Sequence, residues 1–200
     1  EDGIRDVAVT GVQTCALPIY WGAFVPEQGA LRTTQAHDAD EHAHNLTAWD
    51  QRYDQLSAGR FMGQINEWRL PHMQVFREQT SQALRQSCRV WNDSFWFGMP
   101  DREGMNATRI NGRLHGLHDV MVQPGGQDFE LVTPDAHALF GLVVQREALA
   151  NAAQRQGCQV DWMALTHAEV LHTTTEAHLA CLHTLETLLP PSNTFNAQRS

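Results

Sequence analysis

Between Arg60 and about Val144 the chain alternates apolar and polar positions with a period of two, in short runs rich in aromatic and β-branched residues. The pattern predicts strands near 60–70, 73–80, 83–90, 94–99, 107–111, 119–123, 128–132 and 138–144. Turn signals punctuate them at Leu70-Pro71, Asn92-Asp93, Pro100-Asp101, Asn111-Gly112, Pro124-Gly125-Gly126 and Thr133-Pro134. Many short strands at this spacing make a sandwich or a small barrel. Helical periodicity flanks the strands on both sides. Ahead of them, Thr47 and Asp50 read as a capping box, and Trp49, Tyr53 and Leu56 fall on one face, with Ser57-Ala58-Gly59 as the stop. The polar stretch 36–46, with His37, His42 and His44 among acids, reads as a surface helix or a loop. Behind the strands, Arg146–Gln156 is Ala-rich and stops at Gly157. A longer helix over roughly 167–189 carries the stripe Leu171, His178, Cys181, Leu182, Leu185, Leu188 and Leu189.

Composition narrows the function classes. The 200 residues suit one domain with helical appendages, and 42% hydrophobic against 18% charged is a globular balance. The formal net charge is −9, and all 14 basic residues are Arg, scattered along the chain. A surface that grips duplex DNA clusters its cations, so this stretch is not expected to bind nucleic acid by itself. Cys15, Cys88, Cys158 and Cys181 form no CxxC pair and read as reduced thiols of a cytoplasmic protein, Cys88 as core. No apolar run reaches the ~20 residues of a membrane span.

The two ends read differently from the middle. Residues 1–19 resemble translated sequencing-adapter DNA and are set apart from the fold. At the other end Pro190-Pro191 stops a helix, and the polar run 192–200 reads as the start of a linker to a missing neighbour.

The chemistry-bearing residues are few. There is no Gly-x-Ser-x-Gly elbow, no phosphate loop and no Cys in a catalytic context. Asp119–Leu131 resembles the second sequence block of cupin barrels, a strand, a Pro-x-Gly turn and a returning strand. The His that metal-binding cupins place after that turn is missing, and His42-Ala-His44 precedes the strand region. No metal site is therefore expected, despite the 11 histidines. Most of the aromatics in strands are expected to be core. A barrel lined with aromatics and a carboxylate also suits a small organic cation. On that ground Trp68, Phe76, Glu78, Trp96 and Glu130 are the candidate ligand-binding residues, Phe76 and Glu78 sharing a face by alternation. Asp135-Ala-His137 comes near the Asp-x-His-x-x-Gly signature of cobalamin proteins, but its Gly141 falls one residue late, and we read the match as coincidence.

Several blocks carry a family pattern: Thr47-Ala-Trp-Asp-Gln-Arg-Tyr-Asp-Gln-Leu56, Gln74-Val-Phe-Arg-Glu78, Ala83–Trp91, Ser94–Pro100 and Pro124–Leu131. In order and spacing they resemble the N-terminal domain of AraC/XylS-family transcription regulators, nearest the ethanolamine-operon group. The resemblance covers about 37–145. It implies an α+β, mainly β fold: a cupin-like (double-stranded β-helix) barrel with a short N-terminal helix and C-terminal helices. It divides the chain into the segment 1–19, an effector-sensing barrel over 20–145, a helical dimerisation and relay segment over 146–189, and a linker over 190–200. The implied effectors are ethanolamine and adenosylcobalamin. The implied partners are a second copy of the chain, through Leu171, His178, Leu182, Leu185 and Leu189, and DNA, through a helix-turn-helix domain beyond this chain. Two other readings stay open: a cupin-type metal-dependent enzyme, and an interaction module whose barrel is solid core. The stripe over 171–189 suits packing on the barrel as well as pairing with a second subunit.

Overall fold

The computed structural model describes residues 31–101, 108–116 and 118–189. The expectations for 1–19 and 190–200 fall outside them. Two antiparallel sheets face each other. The larger has seven strands in the order β1 (Arg32–Ala36), β3 (Gly63–Leu70), β4 (Met73–Thr80), β11 (His137–Gln145), β6 (Ser94–Pro100), β9 (Asp119–Pro124) and β12 (Val170–His172). The smaller has five: β2 (Asp50–Gln55), β5 (Leu84–Arg89), β10 (Asp128–Thr133), β7 (Arg109–Ile110) and β8 (Arg113–Leu114). The pairings nest. β4 pairs with β11, β5 with β10, β6 with β9 and β7 with β8. The chain is thus one long hairpin wound on itself, with its tip at β7–β8. That is the double-stranded β-helix of a cupin-like barrel, mainly β with few helices.

Local chemistry sets the tip. Asn111 and Gly112 both have positive φ, 48° and 80°, as a two-residue primed turn requires. The Pro124-Gly-Gly turn has its own demand: a Cβ on Gly125 would lie 1.9 Å from the Trp91 carbonyl oxygen, and Gly126 has φ 79°.

The segment before the barrel departs from its periodicity. The expected helix over 47–56 is strand β2, paired with β5 from Asp50↔Arg89 to Gln55↔Leu84. Ala48 has φ 62°, which no helix interior accepts. The Thr47 hydroxyl donates to Glu67 at 3.0 Å rather than capping a helix. The four-residue spacing of Trp49 and Tyr53 equally fits a strand, where even spacing keeps both on one face. The stretch 36–46 instead holds the short helix α1 (Ala39–Ala43), capped by the Asp38 carboxylate, which accepts from the Asp40 and Glu41 amides. It is not a surface element on all sides, since Ala39, His42 and Ala43 are buried.

Behind the barrel the expected single helix over 167–189 is two elements, β12 and α4 (Thr175–Leu188), preceded by a short helix α3 (Trp162–His167). Thr174 caps α4 by accepting from the Ala177 amide. Leu171 belongs to β12, opposite Val120 of β9, and not to a helix. The Ala-rich helix α2 (Arg146–Arg155) forms where expected, and Gly157 follows it with φ 67°.

These helices cover the outer face of the seven-stranded sheet. Leu182, Leu185 and Leu189 pack with Val75, Met99 and Phe140, and Trp68 and Met73 join them. Leu165, Trp162 and Leu171 pack with Phe95, Val122 and Phe97. The main core lies between the sheets: Tyr53, Phe76, Leu84, Trp96, Ile110, Met121, Phe129, Leu131 and Leu139.

Candidate functional site

The interior of the barrel is where polar chemistry meets aromatic surface. Along β4 the inward positions are Gln74, Phe76, Glu78 and Thr80, set by strand alternation. Phe76 is opposite Glu67 of β3 and Gly141 of β11. Gly141 leaves the room that the Phe76 ring fills: a Cβ there would lie 2.0 Å from it. Trp96 uses Gly98 in the same way, at 2.3 Å. The aromatics meet in the middle. Trp96 stacks on Phe129 with centroids 5.0 Å apart, and Trp49 stands edge-on to Phe76 at 5.5 Å and to Trp96 at 6.2 Å.

Two buried carboxylates bracket this aromatic centre. Glu67 accepts from Arg32 at 2.9 Å, from the Thr47 hydroxyl at 3.0 Å and from Gln74 at 2.5 Å. Gln74 in turn accepts from the Trp49 indole N–H at 2.9 Å. Glu78, two positions further along the inward face, lies 3.0 Å from His42 Nε2 and accepts from the Tyr53 hydroxyl at 3.0 Å. Gln51 donates to the Tyr53 oxygen at 2.8 Å. The His42 contact is close in distance but lacks the alignment of a full hydrogen bond.

The electrostatics follow from burial and these partners. Burial works against the Glu78 charge. The contacts with His42 and Tyr53, with His137 nearby, outweigh it and hold the carboxyl below its usual range. Burial first, and then the Glu78 charge, push the Tyr53 phenol well above its ordinary value, so it stays a donor. Burial lowers His137 to about 4, against the pull of Glu78 and Asp101, and keeps the imidazole neutral. Cys88 lies beside Gln51 with its thiol pushed up by burial, and is not a reactive thiolate.

The five residues singled out from the sequence divide. Phe76, Glu78 and Trp96 are brought together inside, at 1%, 4% and 0% exposure. Trp68 faces the other way, half-buried under α4 among Met73, Leu142 and Leu182, because its neighbour Glu67 takes the inward position on β3. Glu130 is on the solvent side of β10, since Phe129 and Leu131 point inward, and it pairs with Arg85 at 3.5 Å. Leu182, Leu185 and Leu189 are buried against the chain's own sheet, and His178 is buried beside the His118 ring. Leu179 and Leu188, also on α4, are each 43% exposed.

Sequence reasoning missed His42, Tyr53, Trp49 and Glu67. The signal for His42 was present: Ala39, His42 and Ala43 have the i, i+3, i+4 spacing of a buried helix face. The Asp135/His137 near-match is absorbed by the fold. Asp135 accepts from the Ser57 hydroxyl and, at 2.8 Å, from the Ala83 amide, and the His137 ring is buried. Among the described residues no three His, Cys, Asp or Glu side chains are arranged as metal ligands, and no helix is long and apolar enough to cross a membrane. A solvent-facing depression over the small sheet, lined by Asp50, Gln51, Arg52, Ser87, Cys88 and Asp128, includes none of the interior aromatics.

No family model matches the chain. Its fold matches the crystal structure of the AraC-like transcriptional activator CuxR with a TM-score of 0.53 and 19% sequence identity, over 85% of this chain and 65% of that one. The chain thus spans about 65% of the length of that activator, and what the two share is the fold.

Proposed function

We propose that this chain is the effector-sensing part of an AraC-type transcription regulator of a bacterial cytoplasm, and is not an enzyme. The observation that carries the reading is a cupin-like barrel of the AraC-like activator type with a buried carboxylate, Glu78, beside an aromatic interior. Such a site recognises a small organic cation by charge pairing and cation–π contact. Ethanolamine is the effector we favour, with adenosylcobalamin as a co-effector, in keeping with the resemblance to ethanolamine-operon regulators. The regulator acts as a homodimer and reaches DNA through a helix-turn-helix domain outside this chain. Effector binding favours one barrel conformation, and the helices laid on the large sheet relay that bias.

The test is a promoter reporter in cells carrying or lacking the gene from which this chain comes, grown with and without ethanolamine and cobalamin. The reading expects effector-dependent transcription only when the gene is present. Equal reporter output in all conditions, for every promoter adjoining the gene, overturns it.

A further inference from the structure

His42 is an unusual plug. Its ring, 0% exposed, enters the barrel from the five-residue helix α1 and fills the space above Gly63, where even a Cβ would lie 2.4 Å from the imidazole. Tyr53 and Phe61 wall it, with ring centroids 5.9 and 5.4 Å away. Glu78 lies at its tip. The ring therefore occupies a compartment with one carboxylate, one phenol hydroxyl and two aromatic walls. That is also the chemistry of a receptor for a small ammonium group.

What holds α1 in place is slight. Besides His42 it buries only the methyl groups of Ala39 and Ala43, and a single turn of helix has no stability of its own. The His42 Nε2–Glu78 contact, 3.0 Å without hydrogen-bond alignment, adds little to this. Little is lost when a small cation takes the place of the imidazole.

We infer that the effector is a small organic ammonium that occupies the compartment now filled by the His42 ring, takes over Glu78, and expels His42 with helix α1 from the barrel. This rests on the sensing role and ligand class proposed above and adds to them the side chain that the ligand displaces and the segment that moves. His42 and the ligand cannot bind together, so α1 reports occupancy. The protein without ligand is held in its resting form by its own imidazole.

Hydrogen exchange on the whole chain, with ethylammonium chloride and ethanolamine as probes, tests this. The amides of His42, His44 and Asn45 are the reporters, since each is bonded within the α1 turn, to Asp38, Glu41 and His42 carbonyls respectively. At saturating probe they should exchange at least about tenfold faster, while the amides of β3 and β4 do not accelerate. If a probe raises the melting temperature and leaves the α1 amides unchanged or slower, the ligand lies elsewhere. The inference then fails while the sensing role stands. A His42→Ala variant gives the second reading. With the compartment vacated, ethylammonium and imidazole should bind about tenfold or more tighter than to the parent chain, and His42→Ala with Glu78→Gln should lose ethylammonium. A folded His42→Ala protein that binds none of these probes overturns the inference. Failure of the sensing role itself would show separately, as a reporter indifferent to the gene.

Discussion

Strands β4 and β5 are adjacent in sequence and belong to different sheets, and their side chains live in different worlds. From Gln74 to Thr80 every residue of β4 is buried, whereas β5 alternates strictly from buried Leu84 to exposed Arg89. The cause is the helices. α3 and α4 cover the outer face of the seven-stranded sheet, while the five-stranded sheet shows Asp50, Arg52, Arg85, Arg89, Asp128 and Glu130 to water. A strand covered on both faces loses the alternation that a half-exposed strand keeps. It must then satisfy its polar groups inside. Arg77, outward on β4, pairs with Asp101 at 2.9 Å and lies over the Phe140 ring at 5.4 Å, and Glu78, inward, has His42 and Tyr53. The candidate site belongs to the large sheet for the same reason. Among the described residues, only there is a carboxylate buried from water and held beside aromatic rings.

Breaking the outer packing should have the largest effect. Phe140 points outward from the large sheet and is 1% exposed. Phe140→Ala should cost about 3–5 kcal/mol in denaturant unfolding, as an inward residue of the small sheet would. A loss below about 1 kcal/mol would mean that α4 does not seal that face.

Acid should act next, through His137 at the start of β11, the central strand of the same sheet. Its imidazole is held neutral at about 4 in the folded chain, against about 6.5 unfolded. Between those values the unfolded state binds more protons. Stability is therefore complete above about pH 6.5 and falls as pH drops toward 4, by roughly 3 kcal/mol in all. His178, lowered by burial and by His118 and His115 nearby, adds in the same direction. Unfolding free energies measured across that range should slope accordingly, and His137→Gln should flatten the slope. An unchanged slope in the variant would show that His137 does not carry it.

Gly141→Ala probes the close approach of Phe76 and should lose about 1–3 kcal/mol through overpacking, read as a lowered melting temperature. The smallest effect belongs to the solvent side of the small sheet. Glu130→Ala removes a half-exposed pair with Arg85 and should shift stability by no more than about 1 kcal/mol. An effect like that of Phe140→Ala would erase the contrast between the two outer faces.

The same contrast explains what could be read in the chain. Strands from Gly63 to Gln145 were legible because β5 and β10 alternate and because Asn111-Gly112 and Pro124-Gly-Gly impose turns. β2 was not, because Trp49 and Tyr53 sit four apart, a spacing helix and strand both satisfy, and its neighbours are polar on the exposed side. β12 was hidden in a stripe that passed for helix, with Leu171 answering to β9 and Leu182 and Leu185 to the sheet surface. Of the site, Phe76 and Glu78 followed from alternation on one strand. Trp68 and Glu130 turn outward because Glu67, Phe129 and Leu131 take the inward positions, and which face is inward is a tertiary fact. His42 depends on a short helix folding into the barrel mouth from a segment whose composition reads as solvated.

The most direct test of the sensing site is thermal melting of the parent chain and Glu78→Gln with ethanolamine, ethylammonium, adenosylcobalamin and their combinations. A ligand that binds only the native state stabilises it by about 2.7 kcal/mol at a hundredfold excess over its Kd. The account predicts a clear upward shift for the parent chain with a small ammonium, and none for Glu78→Gln. A shift of equal size in both proteins would contradict it, because the cation would then be held without the buried carboxylate.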